Sequence, residues 1–246
     1  VRISYEHLSI TKFSPTGDSI VYTTYFPAGD YSASSGAKAN PGINSFAVSP
    51  SGEAVFGLID TPMGLPTRNP IHEYSSADGI RYGYVAKLKS DGTDLVFATY
   101  LALGGINVFN VRGLDVGPSG ETLVTGSVSV ANRLPDIKPI TDKSCTDVRA
   151  FGDVRDDDAE GFADFFDGYA LLLDSDGDIL LSSCFGGTIR DRDAGPLVEA
   201  ARGAHIGDNG DLYIIGYTSM TDFPTVNPVQ AQISGPGQRD IFVMKV

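Results

Sequence analysis

The residues best suited to metal chemistry lie in an acidic stretch from Asp153 to Asp167, which holds seven carboxylates. Carboxylate oxygens are ligands that calcium prefers in proteins, so such a cluster on a loop is compatible with a calcium site. The acids follow no fixed ligand spacing, however, and a solvated acidic loop has the same composition. The sequence favours the plain loop and leaves calcium binding as the alternative.

A second acidic group, Asp174-Ser-Asp176-Gly-Asp178, is superficially similar to a calcium-binding loop. Its glycine comes too early for the Asp-x-Asp-x-Asp-Gly arrangement, and no glutamate stands at the end of the loop to act as a bidentate ligand. The group also coincides with a hairpin signal whose other copies lack these acids. We therefore predict a tight turn here.

The remaining residues give no motif for catalysis. His7, His72 and His205 are far apart and show no metal-ligand spacing. The segment Ser90-Asp-Gly-Thr93 is similar to a sialidase turn motif but lacks its spacing, and the chain contains no Trp. No nucleophile elbow, phosphate loop or His-Glu-x-x-His motif is present. The sequence thus predicts no catalytic, cofactor-binding or metal-binding residue, although separate propeller loops can together form an active site.

Two cysteines, Cys145 and Cys184, are too few for a disulfide framework, and no Cys-x-x-Cys spacing suggests zinc or redox chemistry. The two residues would pair in an oxidising compartment and tie a long loop to the end of a strand. Two unpaired thiols are equally compatible with the sequence. The pairing therefore stays open at this stage.

The strands that would position these side chains belong to a hairpin that is present in three copies along the chain. Apolar and β-branched segments flank a central glycine, as a tight hairpin requires. The copies are Leu8–Phe13, Gly17 and Ile20–Tyr25; Tyr84–Leu88, Gly92 and Leu95–Tyr100; Tyr169–Leu173, Gly177 and Ile179–Cys184. The third copy is almost continuously apolar, which predicts strands that are buried on both faces.

Two further landmarks follow each copy of this hairpin. The first is another glycine-centred hairpin, at Gly52, Gly120 and Gly210. The second is a pair of prolines, at Pro66 and Pro70, Pro135 and Pro139, and Pro224 and Pro228. Because proline cannot donate to a β-ladder, we predict that these segments end the outermost strand. The apolar residue before each first proline is then expected to anchor against the next blade.

The order of the landmarks predicts an all-β fold, a β-propeller made of four-stranded antiparallel blades. The first turn glycine repeats after 75 and 85 residues, and the first proline repeats after 69 and 89 residues. Inserted loops of different lengths account for this variation in spacing. Residues 1–246 form one domain in this interpretation. The blade units are 8–71, 82–140 and 168–229, and 240–246 begins a fourth.

The repeat resembles the SBBP family of β-propeller repeats, which occurs in secreted and surface proteins of bacteria and archaea. The resemblance covers nearly the whole chain outside the inserted loops. The matching segments are Val85–Leu88, Ala98–Leu101, Thr125-Gly126, Gly216–Thr218 and Asp222-Phe-Pro-Thr225. The family is defined by its fold, so the resemblance implies a secreted or cell-surface interaction module and supplies no catalytic residues.

Three units are fewer than the 4–8 blades of ordinary closed propellers. Three explanations stay open: a longer native chain, several copies that complete one assembly, or an open ring. The single strand at Ile241–Val246 favours a chain that belongs to a larger ring, because an unpaired edge strand promotes aggregation.

The composition of the chain makes some classes of binding partner poor candidates. A formal net charge of −13 repels phosphate backbones, so nucleic acids and anionic membrane surfaces are poor candidates. No apolar run approaches the ~20 residues of a membrane span. Val1 is not an initiator Met and no signal peptide follows it, so we expect a processed chain or a fragment from a secreted or cell-surface protein.

The leading hypothesis is a non-catalytic extracellular propeller that binds a protein or glycan through its inserted loops, for adhesion or assembly. The predicted recognition loops are Ala28–Ile43, Glu73–Gly79 and Thr141–Asp167. One alternative is the propeller domain of a secreted hydrolase or lyase with catalytic residues at the central channel. Another is a structural subunit of a surface filament, which would expose large apolar interfaces at its two ends.

Overall fold

The fold is all-β in the part of the chain that the computed structural model describes. This part comprises residues 8–26, 42–61, 64–72, 82–101, 109–128, 137–141, 167–187, 199–235 and 238–246. Within these ranges the chain forms strands and turns and no helix. The prediction of an all-β fold is therefore confirmed.

The described residues form thirteen strands, which alternate with turns and connections. They are β1 Leu8–Phe13, β2 Ile20–Phe26, β3 Gly42–Val48, β4 Ala54–Thr61, β5 Tyr82–Leu88, β6 Leu95–Leu101, β7 Phe109–Val116, β8 Thr122–Val128, β9 Asp167–Leu173, β10 Ile179–Phe185, β11 Ala200–Ile206, β12 Leu212–Thr218 and β13 Asp240–Lys245. Each strand is six to eight residues long, as is usual for short strands joined by hairpins.

The strands form four antiparallel sheets in chain order. β1 and β2 make a two-stranded sheet, β3 to β6 and β7 to β10 make two four-stranded sheets, and β11 to β13 make a three-stranded sheet. Each sheet is a meander in which sequence neighbours pair. This arrangement is propeller-like, and the described residues form no closed ring.

The sheets are offset by two strands from the units that the repeat predicts. The unit 8–71 spans β1 to β4, but β1 and β2 pair only with each other while β3 and β4 pair with β5 and β6. The hairpin that opens each predicted unit thus supplies the two outer strands of a sheet. The terminal strand β13 is the third strand of the last sheet and pairs with β12.

Neighbouring sheets pack face to face, and their first strands, β3, β7 and β11, lie side by side. We call the side of a sheet that faces the next sheet along the chain its front face, and the opposite side its back face. Gly57 of β4 lies on the front face, because a side chain added there would meet Val111 of β7. Phe56, its neighbour, lies on the back face and contacts Phe26 of β2, with ring centroids 4.8 Å apart.

The turn glycines also form part of the contact between sheets. Gly92 and Gly177 have positive φ angles of 73° and 100°, which favour glycine. A Cβ atom at Gly92 would lie 2.4 Å from the ring of Tyr22 in the preceding sheet, and one at Gly177 would lie 2.7 Å from Phe97. The aromatic residue of each outer strand therefore covers the next turn, and this contact excludes any side chain at these glycines.

The proline segments have a different role from the predicted one. They do not end the outermost strand, because each lies between the second and third strands of a sheet. Arg68 of the first segment exchanges two backbone hydrogen bonds with Ala98 of the outermost strand β6, at 3.0 and 2.8 Å. Ile137 pairs in the same way with Ser182 of β10. The segments thus cover the free edges of the two complete sheets, which protects them from edge-to-edge association.

A left-handed residue precedes the second proline of each segment. Asn69, Lys138 and Asn227 have φ angles of 44°, 49° and 47°. Of the predicted apolar anchors, Leu134 lies outside the described residues, and Phe223 contacts its own sheet. Phe223 stacks on Phe242 of β13, with ring centroids 4.7 Å apart. The described residues of the last sheet form three strands, and Val226, the counterpart of Arg68, is 86% exposed.

The third hairpin is buried on both faces, as predicted. Most residues of β9 and of the second half of β10 are inaccessible to solvent. Cys184 lies within β10 and is disulfide-bonded. Cys145, the only other cysteine of the chain, lies outside the described residues. The structure thus favours the paired alternative for the cysteines.

Candidate functional site

The most buried cation among the described residues is Lys87 of β5, whose side chain is only 1% exposed. Its Nζ atom donates to Glu53 Oε2 at 3.0 Å and to the carbonyl oxygens of Gly120 and Ser175 at 3.1 and 3.2 Å. The two carbonyls belong to turns of the next sheet. Lys87 therefore joins two sheets, and all three of its protons have partners.

The lysines at the equivalent positions of two other copies of the repeat make similar contacts. Lys12 of β1 donates to the carbonyl oxygen of Ser90 at 3.0 Å, the counterpart of Ser175. Lys245 of β13 lies 2.6 Å from Asp211, the counterpart of Glu53. In the third copy, Leu172 replaces the lysine. Glu121 accordingly keeps a buried Oε2 atom that has no hydrogen-bond partner within the described ranges.

These contacts show that the tight turns of neighbouring sheets share one rim of the molecule. A cleft of about 590 Å³ opens on this turn rim between the second and third sheets. It is lined by Pro50, Ser51, Glu53, Lys87, Val96, Pro118, Ser119, Gly120, Ser175 and Asp176. Its one buried cation is already saturated by protein oxygens, so the cleft serves as a joint between sheets.

An aspartate–histidine pair links the first strands of the third and fourth sheets. Asp115 Oδ2 of β7 lies 2.8 Å from His205 Nδ1 of β11 and accepts a hydrogen bond from the Ile206 backbone N–H at 2.8 Å. The imidazole is mostly exposed, with its ring centroid 6.2 Å from that of Tyr213. A carboxylate on one ring nitrogen orients the other nitrogen outward, which suits proton transfer or ligand binding.

The His205 ring borders the exposed front face of the last sheet, which we call the end face. It consists of Tyr213, Ile215, Tyr217, Ile241 and Val243, which line up on β12 and β13 through the pairs Ile215 with Val243 and Tyr217 with Ile241. Large apolar side chains are exposed here, Ile241 at 77% and Val243 at 71%. A contiguous exposed apolar patch of this kind usually marks an interaction surface.

Cations border the aromatic rings of the end face. The guanidinium groups of Arg202 and Arg239 each lie 5.1 Å from the Tyr217 ring centroid, and Lys245 Nζ lies 5.7 Å from that of Tyr213. The hydrogen bond that Lys245 donates to Asp211 raises the pKa of Lys245, so this amine keeps its charge beside the Asp211 carboxylate. The end face is therefore apolar at its centre and bordered by cations that contact its tyrosine rings.

The opposite end of the stack also exposes apolar side chains. Phe46 and Val48 of β3 lie on the back face and are about half exposed, because the two described strands of the first sheet do not cover β3. Phe13 and Tyr25 on β1 and β2 extend this surface. We call it the back end.

Most predicted recognition residues lie outside the described ranges. The loops 28–43, 73–79 and 141–167 are described only at residues 42–43, 141 and 167, and the acidic stretch from Asp153 is described only at Asp167. Asp174 behaves as predicted for a turn, since its Oδ1 atom accepts backbone hydrogen bonds from Asp176, Gly177 and Asp178, each at 2.9 Å. The described residues include no group of three metal-ligating side chains.

The structure describes two of the three histidines. His7 lies outside the described residues, His205 joins the pair with Asp115, and His72 is half-buried beside β6, where burial lowers its pKa. Asp115 could not be predicted from the sequence, because its partner lies 90 residues away. The same is true of buried Glu199, which accepts hydrogen bonds from Gly187 N and Thr218 Oγ1 at 2.8 and 3.0 Å.

Comparisons with known proteins do not assign the chain to a family. No family model and no curated protein matches it. A protein of unknown function from Bacteroides caccae, solved as a crystal structure, is similar over 95% of this chain and 60% of its own length. The identity is 12% and the TM-score 0.39, too low to support an argument. The chain thus spans less than two thirds of that protein, and the SBBP resemblance stays a prediction.

The part of the chain that the structure describes contains no helix of the length and apolar character needed to cross a membrane.

Proposed function

We propose that the chain is a non-catalytic β-propeller scaffold that binds a protein or glycan through loops on one rim. One observation carries this proposal: the tight turns and the long connections leave the sheets at opposite rims. Every tight turn follows an odd-numbered strand, and every long connection follows an even-numbered one. Since each sheet is an antiparallel meander, the two kinds of connection must lie at opposite ends of the strands.

The lysine contacts extend this argument from one sheet to the next. Lys12 and Lys87 each bind a turn of the following sheet, so the turns of three successive sheets share a rim. The predicted recognition loops, which begin after β2, β4 and β8, therefore leave from the other rim. A rigid scaffold that presents several variable loops on one side is a common design for binding proteins.

The disulfide at Cys184 supports a secreted or cell-surface location. Structural disulfides persist in oxidising compartments and are rare in the cytosol. The strongly acidic composition favours partners other than nucleic acids and anionic lipid surfaces.

Loop replacement tests the proposal. Residues 73–79 and 153–166 are each replaced by Gly/Ser linkers of equal length, and binding to immobilised mucin, fibronectin, collagen and a glycan array is measured. The matched control is Thr93→Ala on the turn rim. We expect at least one probe to bind, and a loop replacement to weaken that binding at least tenfold without lowering the melting temperature. Binding that is lost in the control and kept in both loop variants would mean that the partner binds at the turn rim, which contradicts the proposal.

A second candidate function, a secreted hydrolase or lyase, is favoured by the Asp115–His205 pair. The oriented imidazole between the first strands of two sheets is the kind of group that acts as a general base. We would assay p-nitrophenyl esters, p-nitrophenyl glycosides and polyuronate with the whole protein and with His205→Ala. Turnover that the substitution reduces at least a hundredfold supports an enzyme, whereas equal rates in both proteins remove the pair from consideration.

A further inference from the structure

The contact between neighbouring sheets at the turn rim, which we call a joint, is built around a lysine in the first two cases. Lys12 of β1 and Lys87 of β5 donate to turn carbonyls of the following sheet. Leu172 stands at the equivalent position of β9 and packs against apolar residues shared by the third and fourth sheets. A leucine side chain lacks the last methylene and the ammonium group of lysine. The joint between the third and fourth sheets therefore has no lysine at this place.

The carboxylate that binds the lysine is nevertheless kept in the third sheet. Glu53 of the second sheet accepts hydrogen bonds from Lys87 and from two serines of its own turn. Glu121 follows the same Pro-Ser-Gly turn, but Leu172 replaces the lysine and Gly117 replaces one of the serines. The Oε2 atom of Glu121 is buried and has no hydrogen-bond partner among the described residues. Such an oxygen has lost its hydration without compensation.

The neighbouring turn of the fourth sheet leaves space at the place of the ammonium group. A Cβ atom built on Gly52 or Gly120 would lie 3.3 or 3.5 Å from the lysine Nζ of the preceding sheet. One built on Gly210, the equivalent glycine of the fourth sheet, would meet no described atom within 4 Å. The Gly120 carbonyl accepts a hydrogen bond from Lys87, so the Gly210 carbonyl is the equivalent acceptor in the third joint.

The donors at this place select a small monovalent cation. One carboxylate balances one positive charge, and carboxylate and carbonyl oxygens bind both ammonium groups and alkali ions. Calcium requires about six to eight oxygen ligands, and no group of three metal-ligating side chains occurs in the described ranges. The fragment of lysine that leucine lacks has the composition of methylammonium. A chain with a net charge of −13 also attracts cations to its surface.

We propose that the joint between the third and fourth sheets binds a small monovalent cation, which takes the place of the lysine ammonium group of the earlier joints. Glu121 Oε2 is its charged ligand, and the Gly210 carbonyl is a second ligand. The cation is a primary ammonium group or an ion of similar size, such as potassium. It ties the turns of two sheets together on the turn rim, on the side opposite the predicted recognition loops, and so acts independently of loop recognition.

Urea unfolding in different salts tests the site in the whole protein. Methylammonium, ammonium and potassium chlorides are each compared with tetramethylammonium chloride, whose cation is too large for the site. The ionic strength is held constant, because every cation screens the negative charge of the chain. We expect a small cation at about 100 mM to lower the apparent unfolding constant about tenfold, as a dissociation constant of about 10 mM would require.

The order of the responses identifies the ligand. A larger effect of methylammonium than of potassium would support a site for a primary amine, and the reverse order would support a site for a metal ion. Equal effects of all four salts would mean that the cations act only by screening, which would overturn the proposal.

Three substitutions locate the response. Glu121→Gln removes the charged ligand with little change of shape, and Leu172→Lys supplies a tethered ammonium group, so both should abolish the effect of the small cations. The matched control is Asp176→Asn, which removes an exposed turn carboxylate of the same sheet and should keep the full effect. A response that persists in Glu121→Gln, or one that is lost in Asp176→Asn, would overturn the proposal.

Nuclear magnetic resonance locates the cation independently of stability. Isotopically labelled protein is titrated with methylammonium chloride and, separately, with tetramethylammonium chloride. We expect saturable shifts of the Glu121 and Gly210 amide signals with the smaller cation only. Shifts that centre on another turn, or that are the same for both salts, would overturn the proposal even if a variant is too unstable for the unfolding assay.

Discussion

The Nζ atom of Lys87 lies 3.0 Å from Glu53 Oε2, and the lysine is almost completely enclosed between two sheets. Breaking a buried, hydrogen-bonded pair from one side leaves the other charge without compensation. This pair therefore gives the clearest test of how the sheets are joined.

Lys87→Met should destabilise the fold by about 3 kcal/mol, because it removes the partner of Glu53 and of two turn carbonyls. Urea unfolding followed by circular dichroism measures the change. The control is Lys89→Met, two residues away, whose ion pair with Asp94 is exposed to solvent and should contribute little to stability. Equal effects of the two substitutions would mean that Lys87 does not join the sheets.

The pH dependence of stability should differ between the unsubstituted protein and Lys87→Met. Burial raises the pKa of Glu53, but the hydrogen bond and charge of Lys87, with Ser51 and Ser49, outweigh it and hold this pKa below its ordinary value of 4.5. A lowered carboxylate pKa gives stability that is present above the ordinary value and is lost as the pH falls through the folded-state value.

Between pH 6 and pH 3, unfolding free energy should accordingly fall more steeply in the unsubstituted protein than in Lys87→Met. The exposed aspartates whose pKa values are also lowered, such as Asp91 and Asp94, contribute to both proteins and cancel in the comparison. Parallel curves would show that Lys87 does not set the ionisation of Glu53.

Restoring the missing lysine of the third copy should be favourable. Leu172→Lys places an ammonium group where Glu121 has a buried oxygen without a hydrogen-bond partner in the described structure. Leu172→Met is the matched control, since it keeps an unbranched chain of similar length without charge. We expect the lysine variant to be more stable than the methionine variant by about 1 kcal/mol in urea unfolding. A less stable lysine variant would mean that the cost of burying the charge exceeds the gain.

The hydroxyl of Thr99 should matter far more than that of Thr122, although both side chains are buried. Thr99 Oγ1 accepts hydrogen bonds from the backbone N–H groups of Ile71 and His72 at 2.9 and 3.2 Å, and so fixes the first proline segment to β6. Thr122 Oγ1 has no partner within the described residues.

Thr99→Val should therefore cost about 2 kcal/mol, and Thr122→Val should be neutral or slightly stabilising. Thermal unfolding of the two valine variants checks this. A further readout is amide hydrogen exchange at Arg68, which should become faster only in Thr99→Val. Equal changes in both proteins would argue against edge protection by the proline segment.

Reduction of the disulfide should lower stability considerably. Cys145 and Cys184 are 39 positions apart, and a closed loop of that length corresponds to about 4 kcal/mol in the chain-entropy treatment of the unfolded state. The measurement compares urea midpoints with and without a reductant, and a thiol assay on the denatured protein reports the oxidation state. The double variant Cys145→Ser, Cys184→Ser serves as the control, because a reductant should leave it unchanged. A reductant that leaves the native midpoint unchanged would contradict a structural role.

The repeat itself was readable from sequence, because the hairpin signals are local. The glycines at positions 92 and 177 follow apolar segments within a few residues, and both become turns with positive φ angles. The tight turn at Asp174 was predictable for the same reason. The grouping of strands into sheets was not, since each strand can pair on either side and the choice depends on packing between distant residues, such as that of Phe56 on Phe26.

The proline segments were likewise only partly predictable from the sequence. Their sequence excludes a place in the middle of a sheet, because proline lacks the N–H donor. It could not show that the chain doubles back so that Arg68 meets Ala98 thirty residues further on. The Asp115–His205 pair could not be predicted for a similar reason, because no sequence pattern near either residue indicates a partner in another sheet.

An all-β repeat with glycine turns, an acidic composition and apolar strands could be predicted from the sequence, since these features depend on local backbone preferences and on composition. The tertiary structure decided which strands share a sheet, which lysine is buried against Glu53, and which apolar residues stay exposed at the ends. Those outcomes depend on contacts between residues far apart in the chain. Val85 and Val243 are the same residue at the same place in the repeat, and only the presence or absence of a neighbouring sheet makes one a core residue and the other a surface.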